Sequence, residues 1–141
     1  MSAISQLNSL YRQAYALREK MYGEHPTLRS KEDATKAHTD FCSQIRRVEW
    51  LVEVWSVRRS EDRNTVRFYI TSHIRSGFWF FRETATVSIY ATQEVYNGIS
   101  LLDLSKGQEL IVKGTLIGMP GQEENSCCLR VGLDLESLSL R

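Results

Sequence analysis

The stretch "TVRFYITSHIRSGFWFFRETATVSIYA", residues 65–91, decides what kind of sheet this chain builds. Four aromatic residues stand in a row in it, Phe78, Trp79, Phe80 and Phe81, with Arg75 and Arg82 on either side. Side chains alternate between the two faces of a strand, so one strand cannot bury all four against a single core. Ser76-Gly77 reads as a two-residue hairpin loop. That register sets Ile74 opposite Trp79, Ser72 opposite Phe81, Phe68 opposite Ala85 and Val66 opposite Val87. Opposed residues share a face. Val66, Phe68, Ile74, Trp79, Phe81, Ala85, Val87 and Ile89 then make one apolar face, with Glu83 opposite Ile70 as its misfit. The other face carries Arg67, Tyr69, Thr71, His73, Arg75, Phe78, Phe80 and Arg82.

Working outward, the period of two begins at Arg46. In "RVEWLVEVWSVRR", Val48, Trp50, Val52 and Val54 share a face, and Trp55 and Val57 continue the apolar side on the other parity. A one-residue shift of this kind predicts a bulge or sharp bend. "SEDRN" at 60–64 reads as a turn. After residue 91 the rhythm breaks. A short helical turn is expected around Ser100–Leu104, with Asn97-Gly98 as an alternative hairpin turn. "QELIVKGTLIGM" reads as a strand with Leu110, Val112, Gly114, Leu116 and Gly118 on one face. "PGQEENS" reads as a polar loop. The closing strand alternates Leu129, Val131, Leu133 and Leu135, then places Leu138 and Leu140 on shifted parity. Five short strands with a long, bent first member favour a small closed barrel, because closure removes exposed edges.

The first third has a different period. Ala3, Leu7, Leu10, Ala14, Leu17 and Met21 recur at spacings of four and three, which predicts a helix over 3–22. Tyr11, Tyr15 and Tyr22 widen the stripe. Gly23 and Pro26 end that helix. A second helix is expected from Lys31 to about Ile45, capped by Ser30 with Asp33 and carrying Ala34, Ala37, His38, Phe41 and Ile45 on one face. The organisation read from the sequence is a helical hairpin, residues 1–45, followed by a barrel, residues 46–141. The hairpin could cover the barrel or pair with a second copy of the chain.

"LLDLSKGQELIVKGTLIG", residues 101–118, resembles the fourth-strand region of OB-fold domains, in particular small tRNA-anticodon-binding-like OB modules. Leu101, Leu104, Gly107, Leu110, Val112 and Gly114 hold the places of that rhythm. The resemblance covers roughly residues 46–140. It implies a fold that is mainly β, a five-stranded OB-type closed barrel after N-terminal helices. It also implies a binding module, and fold alone does not choose the ligand. Two departures stand out. The first strand lacks the glycine often found at its bend, and the loop between the fourth and fifth strands is acidic.

In OB folds the second and third strands are the usual platform for ligands. Aromatic faces stack on bases and arginines follow phosphates. Arg67, Tyr69, His73, Arg75, Phe78, Phe80 and Arg82 are therefore the candidate contacts for single-stranded nucleic acid. The competing reading is a protein-interaction or assembly surface. It would use the same aromatic patch, the N-terminal helices or both, and the helices would then join copies of the chain. An exposed aromatic patch commonly marks such an interface.

The totals frame this choice. The chain has 141 residues, 42% of them hydrophobic and 25% charged, with a net charge of +1. No global field draws in nucleic acid. The charge is uneven, however: residues 43–91 hold eight arginines against five carboxylates, and residues 92–141 hold four basic residues against seven acidic ones. No apolar run approaches a membrane span, and the N-terminus is too polar for a signal peptide. The three cysteines, Cys42, Cys127 and Cys128, make no disulfide framework. A soluble, cytoplasmic protein with reduced thiols is expected.

Chemical motifs are sparse. His38 and Cys42, four apart, are two potential zinc ligands, which do not make a site. Cys127-Cys128 has only Arg130 nearby to activate a thiol. Lys106-Gly107 is a turn and not a phosphate loop, and Glu123-Glu124 lie in a polar loop as solvated carboxylates. With no triad, metal set or cofactor fingerprint, no cofactor is expected and an enzyme is not indicated.

Overall fold

The computed structural model describes residues 2–23, 27–76, 83–122 and 129–141. Its strands follow the apolar alternation: β1 (Arg47–Asp62), β2 (Thr65–Ser76), β3 (Glu83–Ala91), β4 (Val95–Tyr96), β5 (Ile99–Ser100), β6 (Glu109–Gln122) and β7 (Leu129–Leu140). Five of them close into a barrel in the order β1-β2-β3-β7-β6, with β6 pairing back onto β1. The β3–β7 pair is parallel and the other barrel pairs are antiparallel. The expected five-stranded closed barrel after a helical hairpin is present.

The β2–β3 pairing keeps the expected faces but not the expected register. Ile74 lies opposite Ala85 rather than Trp79, and Phe68 lies opposite Ala91 rather than Ala85. Ser76 still pairs with Glu83, so the connection is residues 77–82 and not a two-residue loop at Ser76-Gly77. The displacement is an even number of residues, so no described side chain changes face. Phe68, Ile70, Ile74, Ala85, Val87, Ile89 and Ala91 are all buried inside. Ile70 now opposes Ile89 rather than Glu83. Trp79 and Phe81, read as core, lie outside the described residues.

Two-residue turns do occur, at other positions. Arg63 and Asn64, both at positive φ, join Asp62 to Thr65, so the expected turn over 60–64 shrinks to these two residues. Asn97 and Gly98, also at positive φ, join β4 to β5. A 3-10 turn follows at Leu101–Asp103, so both features expected between residues 97 and 104 are present.

The predicted bend in β1 is a register shift between Val54 and Ser56. Val57 turns toward the core as expected. Trp55 does not: it is the inserted residue of the bulge and stays 46% exposed. Near the end of β7 the register shifts again, where Lys113 pairs with Ser137 but Gly114 with Leu135. This brings Leu138 fully into the core and leaves Leu140 exposed. At the other end of the β6–β7 pair a further shift leaves Gly118 outside the apolar face, at positive φ.

Helix α1 spans Ala3–Tyr22, as its stripe predicts, and Ser2 caps it. Its first two turns place Ile4 and Leu7 in the barrel core beside Trp50 and Ile74. The Trp50 indole donates to Gln6 Oε1 at 2.8 Å, which satisfies the polar end of a large apolar ring. Helix α2 runs from Leu28 to Ser43 and packs mainly on α1. Thr27, not Ser30, is its N-cap, accepting from the Ser30 amide at 3.1 Å. Ala34 is its one buried residue, and Ile45 lies beyond its end, 80% exposed. The opposite end of the barrel is closed by Tyr96 and Leu101, which join the same core cluster. The Asn97 side chain donates to the Leu138 carbonyl and ties that segment to β7. Among the described residues, no helix is long and apolar enough to cross a membrane.

Candidate nucleic-acid interface

The alternation that buries Phe68, Ile70 and Ile74 turns Arg67, Tyr69, Thr71 and His73 outward on β2. Ladder partners on the outer face are Ser56, Arg58 and Ser60 of β1, and Thr86, Ser88 and Tyr90 of β3. Two aromatic clusters form there, on either side of Thr71.

In the first cluster Tyr69 and Tyr90 are direct partners, and their rings meet edge to face with centroids 5.4 Å apart. The Arg58 guanidinium lies over the Tyr69 ring, 4.9 Å from its centroid. Such a contact holds a planar cation against a ring and fixes both. The Tyr90 ring reaches over β7 at Gly132. A Cβ built on Gly132 would stand 3.3 Å from Tyr90 Cε2 and 3.3 Å from Ile117 Cβ. Glycine there leaves room for the edge of the ring against the strand.

In the second cluster the bulge residue Trp55 meets His73 edge to face, centroids 5.5 Å apart. Lys106 Nζ sits 3.7 Å above the Trp55 ring. A turn closed by Gln108 N donating to Ser105 O carries Lys106 there. Backbone bonds from Gly107 N to Val54 O and from Val54 N to Gln108 O fasten that turn beside the bulge. His73 also faces Glu53 across the ladder. Four residues separate His73 from Tyr69, so the clusters lie about 13 Å apart along β2.

Two grooves flank the ridge formed by Arg67 and Tyr69. One, of about 620 Å³, runs past Tyr90 to Ile117, Gly132 and Asp134. The other, of about 270 Å³, is bounded by Ser60, Asp62 and Arg63. The structure thus brings Arg67, Tyr69 and His73 onto one surface as expected. Arg75 belongs to β2, but its side chain is not among those described, and Phe78, Phe80 and Arg82 lie outside the described residues. Among the described residues, the ring contacts of Tyr69 are with Tyr90 and Arg58.

Four residues of this face escaped the sequence reading. Apolar alternation assigns Trp55 to the core, because a one-residue shift in parity does not say which residue the bulge ejects. Tyr90 was on the correct parity, but the displaced register set Tyr69 opposite Thr84. Arg58 and Lys106 reach the face from a bent strand and a turn, and no local pattern marks them.

His38 and Cys42 lie beside each other on α2, Sγ to Nε2 3.6 Å. Among the described residues, no group of three metal-ligating side chains comes together.

No protein-family model and no curated protein matches the sequence. Among solved structures, the small single-stranded DNA-binding protein from Streptomyces coelicolor is similar in shape. The two superpose with a TM-score of 0.51 at 12% sequence identity, over 70% of this chain and 94% of that one. The barrel is an OB-type fold. At that identity the likeness concerns the fold, and it does not extend to the narrower resemblance to tRNA-anticodon-binding-like modules.

Proposed function

We propose that the chain is a non-catalytic OB-type binding module that holds single-stranded nucleic acid along the outer face of β1, β2 and β3. One observation carries this reading: two aromatic clusters on that face, Tyr69 with Tyr90 and Trp55 with His73, each have a cation seated on a ring. Bases stack on such rings whatever their sequence, and the cations lie where phosphates pass. The similar Streptomyces protein is, by its name, a single-stranded DNA-binding protein, which supports the reading at the level of fold. The contact set is Arg67, Tyr69, His73, Arg75, Phe78, Phe80 and Arg82 from the hairpin, joined by Trp55, Arg58, Tyr90 and Lys106.

The competing protein-interaction reading uses the same aromatic patch, the N-terminal helices or both. Leu7 is buried in the barrel end and Ala14 is buried as well. Part of the stripe that would join two copies is thereby occupied. Anisotropy of a labelled single-stranded oligonucleotide tests the proposal. Binding is expected at low salt and should weaken linearly on a log–log plot against salt concentration. No binding at low salt would remove the proposal and leave the protein-interaction reading.

A further inference from the structure

The larger groove combines a half-exposed ring, a cation and a carboxylate on one surface. Its ridge is Arg67 and Tyr69, its far wall is Ile117, and Gly132 beneath Tyr90 leaves it open. Tyr90 is 40% exposed, so part of its ring is available to a ligand. The groove also holds a carboxylate, Asp134, the ladder partner of Tyr90 on β7. Among the described residues, the Asp134 carboxylate has no hydrogen-bond or ion-pair partner. A phosphate is repelled there, whereas a base edge bearing N–H donors is attracted. The strands carrying Arg67 and Asp134 are two strand spacings apart, about 10 Å. That is the reach from a phosphate across its sugar to the far edge of the base.

We infer that this groove is a base-reading subsite in which Asp134 accepts hydrogen bonds from the amino group of cytosine, adenine or guanine and discriminates against thymine and uracil; the inference rests on the nucleic-acid reading above. The base stacks on Tyr90 over Gly132, and Arg67 takes its phosphate. Cytosine and adenine each present an amino donor on the exposed edge, and guanine presents an amino group beside a ring N–H. Thymine and uracil offer one ring N–H between two carbonyl oxygens, so a carboxylate that accepts this proton also faces an acceptor.

The test measures the affinity of the full chain and of Asp134→Asn for labelled dT and dC oligonucleotides of about 12 nucleotides, within the site sizes of OB folds. Asp134 is exposed, and its amide variant keeps the same shape. Removing the negative charge relieves repulsion of the phosphate backbone equally for both oligonucleotides, so the informative quantity is the ratio of the two dissociation constants. The dT-to-dC ratio should fall by about fivefold or more in Asp134→Asn, at the low end for one base contact. An unchanged ratio, with both oligonucleotides still bound, overturns the subsite and leaves the binding reading standing. Failure of both oligonucleotides to bind at low salt removes the binding reading and the subsite together.

Discussion

The two faces of β2 carry the same alternating backbone and opposite chemistry. Inward, Phe68, Ile70, Ser72 and Ile74 are each 5% exposed or less, and the Ser72 hydroxyl donates to the Val87 carbonyl at 2.9 Å. Outward, Arg67, Tyr69, Thr71 and His73 stand in the gaps between them. The inner residues are held by packing from every strand of the barrel. The outer ones are held by a few ring and cation contacts, from Arg58, Tyr90 and Trp55. The inner face should therefore respond to substitution as stability, and the outer face as binding.

The strongest way to break that contrast is inside. Leu133 is fully buried, and Leu133→Ala should cost about 2–5 kcal/mol by lost transfer energy and a residual cavity. The midpoint of urea unfolding measures it, and a loss under 1 kcal/mol would mean that the core is not as described. Outside, Tyr69→Ala should leave that midpoint nearly unchanged. It should weaken oligonucleotide affinity by about 1–3 kcal/mol, the worth of one stacked base. If the variant unfolds early yet binds normally, the division between faces is wrong at its central residue. The barrel end offers a finer comparison. Trp50→Phe keeps most of the apolar ring but removes the bond to Gln6, for an expected loss of about 1 kcal/mol. Thermal or urea unfolding reads that loss, and no change would mean that α1 is held by Ile4 and Leu7 alone. The smallest effect is electrostatic. Arg58→Ala should lower the slope of log affinity against log salt by about one. A slope that stays put would mean that Arg58 supports Tyr69 without meeting a phosphate.

How much of this was legible in the sequence depends on which physical quantity each feature needs. Face assignment on β2 and β3 needs only parity. It survived a wrong turn because the true register differs by an even number of residues. The register itself needs the length of the connection. Ser76-Gly77 has the composition of a tight turn, but the pairing persists to Ser76 and Glu83. Helix α1 was readable because its apolar stripe is long. Ile4 was missed because it lies one residue beside that stripe, on the side that meets the barrel. The start of α2 was misplaced because Thr27 and Ser30 are both plausible caps, and only coordinates show which hydroxyl receives the amide. The site was half legible: Arg67, Tyr69 and His73 follow from one strand, whereas Trp55, Arg58, Tyr90 and Lys106 follow from the pairing of several.

The most direct test is an NMR titration of the full chain with a single-stranded oligonucleotide. The rings of Trp55, Tyr69 and Tyr90 should shift together with saturation, while Val87, Leu133 and the α2 residues stay in place. Unmoved rings at saturation, or shifts confined to α1 and α2, would contradict the assignment of the outer barrel face as the binding surface.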